Sequence, residues 1–228
     1  MHRRSFLLAT AATSLAGRVR AATPSPTVLE LFTSEGCSSC PPADALLGRL
    51  AQQPGIIALA WHVDYWNGLG WHDPYSSPLA TQRQSTYAKH LGDEVYTPAL
   101  VVNGTRIVVG SDAAAVRAAI GTAGDAAVPV SLRRSEDGVV AETGPAGRPV
   151  SALLVTYDPQ RTTPVRGGEN GGRQLAEYRI VREATPLGTW DGAQRRLTLP
   201  VVAPGRGAAL LLQTEDLRVC GAADLPAA

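Results

Sequence analysis

The first half of the chain alternates between strand-like and helix-like hydrophobic spacing. Residues 28–33 are rich in β-formers, and residues 56–63 form a near-continuous apolar run, which is typical of a strand covered on both faces. Between these runs, apolar side chains recur at helical spacing over residues 43–50. The pattern therefore predicts a strand, a helix and a second, buried strand.

A second helix is predicted over residues 79–91. Ser77 is suited to cap its first turn, Pro78 fits the first helical position, and Gly92 is suited to end the helix. The rest of this half is predicted to form two short strands around a strong hairpin turn and a closing helix, at residues 99–102, 103–104, 105–109 and 113–120. The order β-α-β-α-β-β-α predicts a compact α/β layered domain.

Beyond Val128 the helical spacing disappears. Six short segments of strand-like composition follow, at residues 130–133, 139–142, 152–157, 175–181, 196–199 and 208–213. Several short strands at such spacing predict a small antiparallel β-sandwich-like domain. We place the boundary in the small-residue stretch before Val128, which gives an α/β domain over residues 22–126 and a β-rich C-terminal domain over residues 127–228.

The N-terminus predicts an export signal peptide over residues 1–21. Arg3 and Arg4 form a charged region, residues 6–16 are apolar but too short to span a membrane, and residues 19–21 provide a small-residue cleavage site. The two arginines also resemble a twin-arginine export motif, although ordinary secretion stays open. We therefore expect a periplasmic or secreted protein, in a compartment where disulfides form and persist.

The charge balance argues against a nucleic-acid partner. The 228-residue chain has 21 basic and 20 acidic residues, and removal of the signal would take away four arginines and no acidic residue. The remaining chain would be weakly acidic, whereas nucleic-acid binding needs a basic face. Outside the signal, no apolar run is long enough to cross a bilayer, so we expect no membrane span.

The motif with the most chemical content is Cys37-Ser38-Ser39-Cys40. This pair of cysteines lies where the first predicted strand gives way to a helix N-terminus, whose free N–H groups and dipole stabilise a thiolate. We expect Cys37 to be the nucleophile because it lies furthest out. The nearby anionic Glu35 opposes its ionisation, and the sequence does not decide which influence is stronger.

Prolines define how the cysteine pair meets the helix and the sheet. Because the residue before a proline is disfavoured in helical conformation, Cys40 and Pro41 are predicted to form a tight turn, with the helix starting near Pro42. Thr97-Pro98 comes directly before the predicted strand at residues 99–102, where a thioredoxin-like fold has a cis-proline opposite its cysteine pair. This resemblance implies a cis peptide, which would free the Thr97 backbone to pair with an extended partner peptide. The alternative is a trans proline at a strand edge.

Residues 61–73 hold three of the four tryptophans of the chain. One interpretation is an apolar lip over the cysteine pair, in which Trp66 and Trp71 contact a bound partner. The other interpretation is packing in the core and between domains. The composition of the stretch leaves both open.

The histidines and the remaining cysteine give weaker signals. One of His62, His72 and His90 would have to join the cysteine pair in a metal site, but a zinc site needs four ligands and no second Cys-x-x-Cys exists. We therefore expect no metal and no other cofactor. Cys220 is a resolving cysteine, an intermolecular link or a small buried residue. The Gly-rich residues 161–173 are interpreted as a solvated hairpin loop.

Five stretches of the chain form a recognisable set: TSEGCSSCPPAD at residues 33–44, VDYWN at 63–67, YTPA at 96–99, RGGEN at 166–170 and LGTW at 187–190. They resemble the conserved blocks of a secreted bacterial thioredoxin-like family, catalogued as domain of unknown function 1223 (DUF1223). The resemblance implies a thioredoxin-like fold, export, and a cysteine pair at the usual redox position. It implies no substrate, because the family is named for lacking one.

Together these features predict thiol–disulfide exchange with protein thiols and disulfides of the periplasm, in which Cys37 forms a mixed disulfide and Cys40 resolves it. The predicted site residues are Cys37 and Cys40 for catalysis, and Thr97, Pro98, Trp66 and Trp71 for binding the partner. Two alternatives stay open. One is a non-catalytic binding module with a structural disulfide, and the less favoured one is a copper or zinc carrier.

Overall fold

The computed structural model describes residues 26–124, 127–136 and 138–228, so the predicted export signal at residues 1–21 lies outside the described residues. Within these ranges the chain forms three α-helices: α1 Pro41–Leu50, α2 Pro78–Leu91 and α3 Ala113–Gly121. Its eleven strands are β1 Thr27–Thr33, β2 Ile56–His62, β3 Ala99–Val102, β4 Arg106–Val109, β5 Val130–Ser135, β6 Gly138–Thr143, β7 Val150–Pro164, β8 Gln174–Trp190, β9 Arg195–Leu199, β10 Gly207–Gln213 and β11 Val219–Leu225.

One mixed sheet runs through both halves of the chain. Its strand order is β11-β10-β7-β8-β2-β1-β3-β4, and a second, antiparallel sheet has the order β5-β6-β9. The two halves meet where β2 pairs in parallel with β8 through Ala60 and Ile180. The larger layer of the predicted sandwich is therefore an extension of the first half's sheet. The domain division at residues 126 and 127 stays a prediction.

The alternation of side chains along β1 sends them to opposite faces of the large sheet. Leu29 and Leu31 pack on one face with apolar residues of α1 and α3, in a cluster that includes Leu47. Phe32 faces the other side, where it packs in a cluster with Tyr87 of α2. The first and third helices therefore cover one face of the sheet, and the second helix covers the other.

A third apolar cluster joins the two sheets. Leu154 and Leu210 of the large sheet belong to one buried cluster with Ala141 and Leu199 of the small sheet. The β-rich half is thus two-layered and largely antiparallel. None of the helices in the described part of the chain is long and apolar enough to cross a membrane.

Local signals predicted most of the element boundaries. Ser77 caps α2 by accepting a hydrogen bond from a backbone N–H of the first turn, and Gly92 ends it at a φ of 67°. The predicted start of α1 differs from the observed start by one residue, since the helix begins at Pro41 rather than near Pro42. The reason is that Cys40 adopts a right-handed helical conformation although a proline follows it. The last strand and the outer parts of β7 and β8 were not predicted, because their small and polar residues interrupt the apolar pattern.

The close approach of α1 to β8 depends on Gly48, where a Cβ would lie 2.6 Å from the ring of Tyr178. We expect Gly48→Ala to lower the free energy of unfolding by about 1–3 kcal/mol, because this overpacking outweighs a gain of about 1 kcal/mol in helix propensity. Gly121→Ala is the matched control, since that helical glycine has open space around it. Urea unfolding measures both variants, and an unchanged stability of Gly48→Ala would contradict the packing.

Candidate functional site

Cys37 and Cys40 form a disulfide at the start of α1, with their Cα atoms 5.4 Å apart. Cys40 is the N-cap residue of the helix, and its carbonyl accepts the first α-helical hydrogen bond from the Asp44 N–H at 3.1 Å. The predicted position at the cap, outside the helix body, is confirmed. Both cysteines have no exposed surface, whereas Ser38 and Ser39 between them are exposed.

Pro98 lies beside the first turn of the same helix. The Thr97–Pro98 peptide bond is cis, as predicted. A Cβ placed on Gly110 would lie 3.3 Å from the Cβ of Ala43 and 3.4 Å from the Cβ of Pro98, which shows that the proline and the first helical turn border the same small space. Pro98 therefore lies near the first turn of the helix that begins directly after Cys40.

The two predicted partner-binding tryptophans surround the cysteine loop. The indole N–H of Trp66 donates to Oγ1 of Thr97 at 2.9 Å, and the indole N–H of Trp71 donates to the Glu35 carboxylate at 2.6 Å. Trp66 also packs against Gly36: a Cβ added to Gly36 would lie 3.1 Å from the Cβ of Trp66. Both indoles are half-buried and hold the loop in place. Their contact with a partner stays a prediction.

A group of buried titratable side chains lies next to the cysteine loop, and the sequence analysis did not assemble it. Nδ1 of His62 lies 2.7 Å from Oδ2 of Asp73, and both residues are buried. The same oxygen of Asp73 accepts the backbone N–H of Glu35 at 2.9 Å. Asp44 of α1 and Glu177 of β8 are also buried and interact electrostatically with His62. We call these five residues the acid–base cluster.

Burial controls the proton occupancy of the cluster. It raises the pKa of Asp44 to about 7 and the pKa of Glu177 to about 9, with the charge of His62 limiting both rises. Burial and the charge of Asp73 together raise the pKa of Glu35. Neither carboxyl oxygen of Glu177 has a hydrogen-bond partner among the described residues, which agrees with a protonated carboxyl at neutral pH.

The His62 and Asp73 pair behaves in the opposite way. Burial alone would lower the pKa of His62, but the carboxyls of Asp73 and Glu177 outweigh it and raise the pKa to about 10. Burial would likewise raise the pKa of Asp73, but the neighbouring imidazolium holds it below its ordinary value. The two side chains therefore form an ion pair at neutral pH.

The loop between β7 and β8 is not simply solvated, which corrects the interpretation of residues 161–173. Asn170 has no exposed surface, and its Nδ2 donates to the backbone carbonyls of Glu35 and Cys37, each at 2.9 Å. The preceding Glu169 accepts the Ser38 N–H at 2.9 Å. The RGGEN block at residues 166–170 was noticed in the sequence, but the sequence did not indicate that it contacts the cysteine loop.

The remaining candidates are not part of this arrangement. His72 and His90 are exposed. Cys220 on β11 is half-buried beside the third apolar cluster, its thiol donates to the Leu212 carbonyl at 3.4 Å, and burial raises its pKa. These contacts favour the interpretation of Cys220 as a small packed residue. Among the described residues, no group of three or more His, Cys, Asp or Glu side chains is arranged to hold a metal ion.

Comparison with known proteins gives one family and two similar solved structures. The model of a family described as "Protein of unknown function (DUF1223)" matches residues 28–213. The crystal structure of protein AGR_C_4864 from Agrobacterium tumefaciens is similar at 32% identity and a TM-score of 0.79, over 91% of this chain and 97% of that chain. HBP35 of Porphyromonas gingivalis is similar in fold at 16% identity and a TM-score of 0.58, over 90% of this chain and 76% of that chain. No curated protein matches the sequence.

The raised pKa of Glu177 has a consequence for stability. Between its ordinary pKa and about 9, the folded state keeps a proton that the unfolded state has lost, so folding becomes less favourable as the pH rises. From pH 5 to 9, we therefore expect the parent to lose stability relative to Glu177→Gln. The difference in their free energies of unfolding should change by up to about 1.4 kcal/mol per pH unit.

Urea unfolding at several pH values measures this difference. Glu215→Gln, which removes an exposed carboxyl, is the matched control. A stability difference between Glu177→Gln and the parent that does not vary with pH would show that Glu177 is ionised in the folded protein at neutral pH.

Proposed function

The chain belongs to the DUF1223 family of proteins of unknown function, and we propose that it is an exported thioredoxin-like protein that exchanges disulfides through Cys37 and Cys40. The observation that carries the proposal is the disulfide at the start of α1 with Pro98 beside the same helical turn. A helix N-terminus stabilises a thiolate there, which is the reactive form of cysteine. The acid–base cluster beside the loop supports it further.

The exchange has two steps that balance in electrons and protons. A partner thiolate attacks the sulfur of Cys37, the bond to Cys40 breaks, and Cys40 leaves with the bonding electrons and takes up a proton. A second partner thiolate then attacks the partner's sulfur in the mixed disulfide and releases Cys37, which takes up another proton. The partner leaves as a disulfide, and the cysteine pair has gained two electrons and two protons. The reverse sequence reduces a disulfide partner.

The cluster offers a local exchange of these protons. Asp44 lies in the first turn of α1, four residues after Cys40, and its pKa of about 7 lets it give or accept a proton at neutral pH. Thr97 and Pro98 would present backbone to the partner, with Trp66 or Trp71 at the edge of the contact. The periplasm is the compartment we propose, on the basis of the N-terminal sequence.

A second candidate function is supported by the burial of the pair. Cys37 and Cys40 have no exposed surface, and a disulfide that never meets a partner is a structural link. In that case the protein is a binding module in which the bond only fixes the loop. The metal-carrier alternative has no supporting group among the residues that the structure describes.

The reduction potential separates the two candidates. We expect the pair to equilibrate with glutathione buffers at a reduction potential above about −300 mV. Structural disulfides in secreted proteins resist reduction and have potentials below about −300 mV. The measurement uses a Cys220→Ala background, so that only one cysteine pair responds. A potential below about −300 mV would assign the disulfide to the structural role.

The identity of the nucleophile is tested with single-cysteine variants in the same background. Cys40→Ser leaves Cys37 alone, and we expect it to form a mixed disulfide with oxidised glutathione faster than Cys37→Ser, which leaves Cys40. The reason is that Cys37 precedes the helix, so it can become accessible without a change in α1. Cys40 is the N-cap of α1, so its exposure would disturb the first helical turn. Mass spectrometry follows both adducts, and a faster reaction of Cys40 would reverse the assignment.

A further inference from the structure

The turn of the β7–β8 hairpin is bonded to the loop that holds Cys37. We call residues 165–173 the hairpin tip. The amide of Asn170 donates to two carbonyls of the cysteine loop, as described above, and its own Oδ1 accepts from Arg173 at 2.6 Å. Both ends of this buried amide are therefore used, and its orientation is fixed by three hydrogen bonds.

Further contacts attach the hairpin tip to both neighbouring loops. Glu169 accepts the backbone N–H of Ser38 at 2.9 Å, and this contact lowers the pKa of Glu169 below its ordinary value. Gly167 passes so close to the carbonyl of Gly70 that no side chain would fit. A Cβ on Gly168 would lie 3.1 Å from the Cβ of Trp71. The hairpin tip thus bridges the cysteine loop and the aromatic stretch.

Hydrogen bonds rather than apolar packing hold the hairpin tip. Four of its nine residues are glycines, and Val165 is its only buried apolar residue. Segments with few buried apolar contacts open locally at a lower free energy than global unfolding. The hairpin tip can therefore detach without exposing a large apolar surface.

We propose that the hairpin tip gates access to the Cys37–Cys40 disulfide and that Asn170 holds this gate closed. In the closed form neither cysteine is exposed, although Ser38 and Ser39 face the solvent. An attacking thiolate must reach a sulfur atom, so exchange takes place from an open form. The inference rests on the proposed function, for which Asn170 is a positioning residue.

The test is the rate at which dithiothreitol reduces the disulfide of the Cys220→Ala protein. We expect Asn170→Ala to raise this rate about tenfold or more, because two hydrogen bonds that hold the closed form are lost. Asn170→Asp has the same size but no amide donors, and it is expected to accelerate reduction as well. Arg166→Ala is the matched control, since this residue of the hairpin tip is exposed, and its rate is expected to equal that of the parent.

Urea separates opening of the hairpin tip from unfolding. If the opening is local, the reduction rate changes little at low urea. The acceleration in Asn170→Ala is then larger than the increase that its change in the free energy of global unfolding would cause. Equal rates in Asn170→Ala and the parent would overturn the gate. Rates that rise with urea as steeply as global unfolding in both proteins would also overturn it.

The gate and the exchange function can fail separately. Faster reduction of Asn170→Ala together with a potential below about −300 mV would keep the gate and remove the exchange function. A potential above that limit together with unchanged reduction rates would keep the exchange function and remove the gate.

Discussion

The loop between β1 and α1 is buried except at Ser38 and Ser39, so the backbone polar groups that are not bonded within the loop must be bonded by other parts of the protein. The N–H of Glu35 donates to Asp73, the carbonyls of Glu35 and Cys37 accept from Asn170, and the N–H of Ser38 donates to Glu169. Segments far apart in the sequence therefore converge on one short loop. The aromatic stretch and the hairpin tip are joined to the cysteine loop because each supplies hydrogen-bond partners for its backbone.

The same burial explains why chemically similar carboxyls near the pair hold their protons so differently. Asp73 stays ionised because the His62 imidazolium lies 2.7 Å away, whereas Glu177 has no bonded partner among the described residues and keeps its proton. A direct hydrogen bond to this cation, rather than the residue type, distinguishes Asp73 from Glu177, on which the charge of His62 acts without a hydrogen bond. Asp44 lies between these limits with a pKa of about 7.

The parts of the site that were predictable depend on local sequence. The cysteine pair, the start of α2 at Ser77 and the cis peptide at Thr97–Pro98 follow from residues adjacent in the chain and from element order. Asn170 could not be predicted in the same way, because it bonds residues 133 and 135 positions away. A polar residue between glycines has the composition of a solvated loop, and only the tertiary structure shows what it contacts.

The fold shows the same limit. Side-chain alternation and turn residues predicted the strands, but the continuity of the large sheet depends on one register pair, Ala60 and Ile180. No sequence pattern distinguishes that pairing from two separate sheets. Likewise, Glu177 is a charged residue on a strand with mixed polarity, and its neighbours in the chain do not indicate that it is buried.

The absence of exposed surface on either cysteine has a consequence for how the protein would respond to its surroundings. A disulfide in free contact with solvent follows the ambient thiol pool, and its state reports the present composition of that pool. A sequestered disulfide relaxes slowly toward the same equilibrium. Its oxidation state would then preserve a record of the last partner that reached it, long after the small thiols around the protein had changed.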